Sequence, residues 1–556
     1  MDAAQLRDLS DLATLRLQNR IGTDSSSKGG WLMISTILIE AWDLYSISFI
    51  LVLLKQEWAT GYKSADGVAY SFQWYNWGLV TGAIQIGAVI GAIGGGYVAD
   101  QIGRKKMFII TMSLFIVLAL LQAFTPSNGH IGIWYLIIVR FLLGIPLGSD
   151  ISNGYAYIME TMSKGKREMM GVRWQFMFAA GEVISILAVI LLLASGMRYD
   201  LLWRFALGFG MVPAIIVLLA RLKLPETPLS LVQRGKFHAA KVASKELFDD
   251  SLDMLPDEDV HIPRVKTGDF MRVIWSDKTK RRTSIFGWIS NAAQGFEFSA
   301  FGLYLPVIFT SVGLANAHWA TDKDPIGATT QANWMIPGHY IGVIPLNFVQ
   351  IGIYSVAAIS GFLAPYVLRK IDHRNLSLAG FGMALIGLLT IGFTFVTAGF
   401  TKQMADGSIC TNATPGSKCA TVFTNLPGLK ADGTPNTGIM ATGAVAIMIL
   451  GAVILMWGHY WDASNGQTLC SLVAPPRFKA TAGGFGYMFV KIASAFGALV
   501  FPLVAGLNNQ HLIAATFIVT IASAVAILAA LFILPKGMYG YIEAETAEMQ
   551  AKADSM

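Results

Sequence analysis

Gly96-Tyr-Val-Ala-Asp100-Gln-Ile-Gly103-Arg104-Lys105-Lys106 is the stretch whose reading decides the fold. It joins two apolar runs, 78–99 and 107–126, each near the ~20 residues that an α-helix needs to cross a bilayer. Three consecutive cations between such runs hold the connection on the cytoplasmic side. Gly96 has no side chain and lets two helix ends approach closely. Asp100 stands where it can meet a neighbouring helix or a basic side chain. An ordinary basic loop needs the cations, but not this order of glycines and aspartate.

The rest of the chain agrees. Of its 556 residues 54% are hydrophobic and only 14% charged, with a mean hydropathy of +0.54, which excludes a soluble domain of this size and implies a polytopic membrane protein. The net charge of +6 does not point to nucleic acid, because most of the 41 Lys and Arg fall in connections on one side of the spans. Three cysteines are too few for a disulfide framework. No Cys/His spacing suggests a metal site, and no nucleotide loop or nucleophile motif suggests an enzyme. No cofactor is implied. Residues 1–28 are polar and nothing in them resembles a cleavable signal, so the first apolar run is both insertion signal and first span.

Twelve spans are predicted: 31–54, 78–99, 107–126, 132–158, 169–195, 202–222, 284–312, 342–367, 376–399, 441–473, 483–507 and 511–534. The chain thus divides into a tail (1–28), a six-helix half (29–222), a connection (223–282), a second six-helix half (283–535) and a tail (536–556). With the cations inside, both termini are cytoplasmic and the protein is a multi-pass protein of the plasma or inner membrane. Cys410 and Cys419 then lie outside, nine positions apart, where a disulfide is possible.

Gly96, Asp100, Gly103, Arg104, Lys105 and Lys106 match the loop signature of the major facilitator superfamily, which the chain resembles. Three other loops carry the same resemblance: Pro225-Glu226-Thr227-Pro228 after the sixth span, Arg369-Lys370-Ile371-Asp372-His373-Arg374 after the eighth, and Arg477 to Gly483 before the eleventh. The fourth span adds Arg140, Gly144 and Gly148 in the superfamily spacing; glycines four apart also permit tight helix packing. Glu160 and Arg167 resemble the inner-loop acid and base that bridge helices at the cytoplasmic gate. The resemblance implies an all-α fold with two pseudo-symmetric halves and a secondary transporter, monomeric and driven by an ion gradient.

An ionisable side chain inside a bilayer is costly and is a functional candidate by default. Glu40 and Asp43 share a face of the first span, beside Tyr45. Asp43, Asp150 and Glu297 resemble acids of phosphate:proton symporters, Lys491 their substrate-binding lysine, and Gln175 a substrate-contacting glutamine of those symporters and of sugar porters. Glu182 is a further buried acid with no assigned role. Trp457, His459, Tyr460, Trp461, Asp462 and Asn465 form an aromatic and polar cluster that suits a cavity wall or a membrane interface. These residues predict a central cleft in which Asp43, Glu40, Asp150 and Glu297 carry protons and Gln175, Lys491, Tyr45, Trp457 and Asn465 bind the solute. The expected function is proton-coupled uptake of a small anion, phosphate or an organic acid. Ile151-Ser152, Ala293 and Phe301 replace groups that wall or hydrogen-bond phosphate in that family, which favours a different anion or a larger organic solute; the alternatives are a sugar or polyol:proton symporter, on Pro225-Glu226-Thr227-Pro228 and Gln175, and a drug:proton antiporter, which the fourth-span motif allows.

Overall fold

The computed structural model describes residues 3–19, 24–47, 74–126, 129–163, 165–195, 199–260, 267–305, 344–398, 401–403, 409–411, 442–505 and 509–554. Among them, helices long and apolar enough to cross a bilayer run over Gly78–Ile102, Arg104–Ala123, Ile131–Thr161, Arg167–Leu192, Leu201–Leu222, Val349–Val396, Ala444–Leu472, Pro476–Val500 and Ala514–Phe532. The longest is two spans in one. The helix Ile344–Ala398 breaks at Asp372, where φ is 66° and ψ 159°, and this divides the eighth span from the ninth.

The first and seventh spans are the polar ones. The first breaks at Ser35 into Asp24–Ile34 and 36–47, and the seventh, Lys278–Ala300, carries Asn291, Gln294 and Glu297. With these two, the chain makes the twelve passes and two six-helix halves that the sequence predicts. The seventh helix begins at Lys278, earlier than the predicted 284, because Asp277 caps it by accepting the Lys280 N–H at 2.7 Å.

The Asp372 break mirrors Gly103, which opens the third span with φ 102° and ψ 160°. Glycine takes this backbone freely, whereas an aspartate is strained there. The strain at Asp372 is offset by its carboxylate, which accepts the N–H groups of Gly537 (2.9 Å) and Tyr539 (2.8 Å).

Close backbone contact builds each half. A Cβ on Gly144 would lie 2.0 Å from the Ile84 carbonyl oxygen, and one on Gly148 2.2 Å from that of Ala88, so the fourth-span glycines are there to seat the second span. Leucines, isoleucines and valines at three- and four-residue spacing, such as Ile110, Leu114, Val117 and Leu121, stay exposed and form the lipid face.

The connection is more structured than its polar sequence suggests. Helices Pro228–Gln233 and Phe237–Phe248 pack with the tail helix Ala3–Gln18 around Leu17, Leu231, Phe237 and Leu247. Cys410 lies on a two-stranded ladder, Ile409–Thr411 against Thr401–Gln403; Cys419, and with it the expected disulfide, falls outside the described residues.

Candidate functional site

A narrow cavity of about 50 Å³ opens between the halves. The N-terminal half lines it with Ile37, Glu40, Leu44, Gln85, Tyr155, Trp174, Gln175 and Phe178, and the C-terminal half with Gln294, Phe298, Ala463, Gln467, Tyr487, Val490, Lys491 and Ser494. Each wall alternates flat rings with carboxamides. Tyr155 and Trp174 stack with centroids 4.3 Å apart, and the buried Oε1 atoms of Gln85 and Gln175 accept no hydrogen bond from the described residues. Free acceptors beside aromatic faces suit a solute that presents hydroxyl donors and apolar C–H faces.

The two charged residues of this wall are paired with each other. Lys491 Nζ donates to Glu40 Oε1, Tyr487 Oη–H donates to the same oxygen at 2.5 Å, and the ammonium lies 4.8 Å from the Tyr487 ring centroid. The lysine predicted to hold an anion is therefore occupied by a carboxylate 451 positions away in sequence, and the cavity offers no uncompensated cation among its described residues.

The other predicted acids do not meet in this cleft. Asp43 points into the N-terminal half, where its Oδ2 lies 3.3 Å from Arg140 Nη1 and its Oδ1 accepts Gln122 Nε2–H at 2.9 Å. Arg140 also donates to the Gln122 Oε1 (3.0 Å) and the Val80 carbonyl (2.8 Å), and both ions of the pair are fully buried. Asp150 is held by Arg221 at 2.6 Å and by Thr111 Oγ1–H at 2.8 Å. Glu297 accepts from Ser523 Oγ–H and faces His459 Nδ1 at 3.7 Å, inside the C-terminal half. The shared cleft of Asp43, Asp150, Glu297 and Lys491 is thus replaced by separate sites, because helix rotation turns each acid toward a partner within its own half. Lys491 alone of the four lines the cavity.

Three predicted solute contacts lie elsewhere. Tyr45 packs edge-on against Tyr354 at 4.9 Å. Trp457 is half-buried beside Trp461, with centroids 6.3 Å apart. Asn465 belongs to a polar knot, donating to the His373 carbonyl at 2.9 Å and to Ser377. Glu182 accepts from Tyr460 Oη–H across the two halves.

At the face carrying the basic loops, the opening signature joins the halves. A Cβ on Gly96 would lie 2.5 Å from the Ala480 carbonyl oxygen, and Asp100 accepts Thr481 N–H at 2.8 Å, Thr481 Oγ1–H at 2.6 Å and Ala480 N–H at 3.3 Å. Arg104 binds Asp100 at 2.6 Å and Glu160 at 2.5 Å. Glu226 accepts the N–H groups of Arg104 (2.8 Å) and Lys105 (3.2 Å), so Pro225-Glu226-Thr227-Pro228 supplies a carboxylate to the start of the third helix. Arg167 does not reach Glu160; it donates to the Gln18 carbonyl at 2.5 Å and lies 3.6 Å from Glu543, joining the two tails.

A further acid that crosses to the C-terminal half is Glu168, which binds His373 Nε2 at 2.9 Å. His373 occupies the turn between the eighth and ninth spans and is fully buried. Burial draws its pKa down, but the hydrogen bond and charge of Glu168 outweigh that and leave it above the ordinary histidine value. Gln85, Gln122, Arg221, Glu168 and Gln467 escape sequence reading because nothing in the sequence marks which neighbouring helix each one faces; His373 sits in the second-half loop echo and could have been found there.

The family model described as "Sugar (and other) transporter" matches residues 31–323. The D-xylose transporter of Levilactobacillus brevis is 27% identical over 331 residues, 57% of this chain and 63% of that protein, so the matched stretch spans less than two thirds of that relative. The glucose transporter GlcP of Staphylococcus epidermidis is 22% identical over 461 residues, covering 82% of this chain and 84% of that one. Among solved structures, the major facilitator superfamily proton:xylose symporter XylE of E. coli, bound to 6-bromo-6-deoxy-D-glucose, aligns over 94% of this chain and 99% of its own with a TM-score of 0.67 at 17% identity, a likeness of fold. These findings favour the sugar alternative of the sequence reading over its anion reading. The chain belongs to the sugar (and other) transporter family, and its fold is that of the solved major facilitator superfamily symporter.

Proposed function

We propose that the protein carries a sugar or polyol together with a proton into the cell, as a monomer in the plasma membrane with both termini cytoplasmic. One observation carries the substrate class: the cavity presents carboxamides, hydroxyls and aromatic rings, while Glu40 and Lys491 neutralise each other. A neutral polyhydroxylated solute satisfies such a wall without bringing a charge into it. Named relatives that carry xylose, glucose and polyols support the same class.

Asp43 is the proton site of this mechanism. With Asp43 ionised, Arg140 is held between Asp43, Gln122 and Val80. A proton on Asp43 removes the attraction to Arg140, and the guanidinium then relies on its neutral acceptors alone. Asp43 shares its helix with the cavity residues Glu40 and Leu44, so a shift of this helix reaches the solute, and solute and proton bind cooperatively.

Uptake into proteoliposomes under an imposed pH gradient tests this reading. Pentoses, hexoses and polyols are to be carried with proton entry, and phosphate and carboxylates excluded. Transport of phosphate or a carboxylate with no sugar or polyol carried would refute the substrate class. Asp43→Asn is expected to keep solute exchange while losing accumulation against a gradient; accumulation at the wild-type level removes Asp43 from the proton path.

A further inference from the structure

In the C-terminal half, Glu297 of the seventh span faces His459 of the tenth, as Asp43 of the first faces Arg140 of the fourth. Halves related by an axis along the membrane normal place the first span opposite the seventh and the fourth opposite the tenth. The two pairs differ in charge balance. Arg140 is a permanent cation, whereas a histidine is titratable, and a second acid, Asp462, stands three positions after His459 on the same helix.

Asp462 is fully buried, and neither of its oxygens accepts a hydrogen bond from any described residue. Glu297 is also buried; its Oε1 accepts from Ser523, and its Oε2 has no hydrogen-bond donor among the described residues. The ninth span meets Asp462 with Gly380 and brings no charge there, and Lys491 of the eleventh span is held by Glu40. His459 Nε2 lies 3.4 Å from the Gln294 Nε2 amide. An amide N–H donates, so His459 Nε2 accepts, and the one ring N–H of the neutral imidazole is on Nδ1, facing Glu297. Two buried carboxyl groups, one facing His459 and one three positions beyond it on the same helix, then have no permanent cation to balance them, an arrangement that a bound proton relieves.

We propose that Glu297 and Asp462 form a second proton-binding site beside His459, distinct from Asp43 and Arg140. Its link to the solute is Gln294, which lines the cavity on one side and donates to His459 on the other. Phe298 does the same by packing, lining the cavity and stacking on the His459 ring at 5.6 Å. A solute hydroxyl that takes up the Gln294 amide withdraws the donor from His459 Nε2, leaving that nitrogen free to take a proton. The cluster senses occupancy of the cavity in this way.

The role in coupling rests on the symport reading; the protonation itself does not, and the experiment separates them. Infrared difference spectroscopy of the purified full chain, titrated over pH without any solute, is to show a protonated-carboxyl band that is lost in Asp462→Asn and in Glu297→Gln but kept in Asp43→Asn. Two variants are used so that misfolding of one leaves the other. A band that survives both substitutions, or that never titrates, overturns the site. In proteoliposomes, the solute gradient that just balances a pH gradient then gives the coupling ratio. Wild type is to move one proton more per sugar than Asp462→Asn. An equal ratio, with the infrared band assigned as above, overturns the coupling role and leaves the symport reading intact; absence of all sugar transport is the failure of the symport reading alone.

Discussion

Lys491→Ala is the substitution on which the anion and sugar readings disagree most. In the structure Lys491 serves Glu40: the pair is buried, with side-chain exposures of 4% and 2%, and Tyr487 adds a hydroxyl donor to the same carboxylate oxygen. Removing one partner of a buried ion pair leaves the other uncompensated and costs about 3–5 kcal/mol. At 1.4 kcal/mol per factor of ten, that is about two to four powers of ten in the ratio of folded to unfolded protein. Removing both charges with matched shapes leaves no uncompensated ion and is often near neutral. Glu40→Gln with Lys491→Met is therefore expected to recover most of the stability lost in Lys491→Ala, with the Tyr487 hydroxyl donating to the new amide oxygen. Thermal unfolding of the three variants in one detergent, followed by tryptophan fluorescence, gives the order: single variant lowest, double variant close to wild type. Sugar uptake by the double variant completes the measurement. A Lys491→Ala variant as stable as wild type, or a double variant no better than the single one, refutes the argument that this lysine is there to neutralise Glu40.

Three further predictions follow from other parts of the structure. Gly144→Ala places a Cβ 2.0 Å from a backbone oxygen of the second span, so the helices must part; a loss of about 1–3 kcal/mol is expected, as for overpacked cores, and unchanged thermal unfolding contradicts it. His373 has its raised pKa only while Glu168 is beside it, so protonation stabilises the closed basic face; that stabilisation is full below about 6.5 and is lost as pH rises through the raised value. Acidifying the side of the membrane that this face contacts, with the pH difference across the membrane held constant, should slow uptake in wild type more than in His373→Gln, and identical pH profiles for the two would dismiss the idea. Asp100→Ala removes the acceptor for Ala480 and Thr481 across the halves, each hydrogen bond to a charged group contributing about 1.5–3 kcal/mol. Maleimide should then label the buried Cys470 faster, in a background carrying Cys410→Ser and Cys419→Ser, and an unaltered labelling rate refutes the role of Asp100 in closing this face.

The number of spans, their pairing into halves and the basic face were legible because they depend on local quantities. An apolar run of spanning length, a cation cluster and a glycine at a helix junction each act through their immediate neighbours in sequence. Gly96, Gly103, Gly144 and Asp100 were readable for that reason: the structure gives them the close approach, the positive φ, the helix packing and the inter-helix contact that their chemistry implies. Glu40, Asp43, Asp150, Glu297 and Lys491 were equally visible as charges in an oily segment. Their partners were not. Which cation an acid meets depends on the rotation of its helix and on what another helix, hundreds of residues away, presents at the same depth. Glu40 and Asp43 are three positions apart, yet one reaches Lys491 in the other half and the other turns inward to Arg140. Tertiary packing alone converted a row of acids into one neutralised cavity wall, two salt-bridged aspartates in the N-terminal half and a glutamate facing His459 in the C-terminal half, because electrostatic pairing is decided by distance in space and hydropathy by position along the chain.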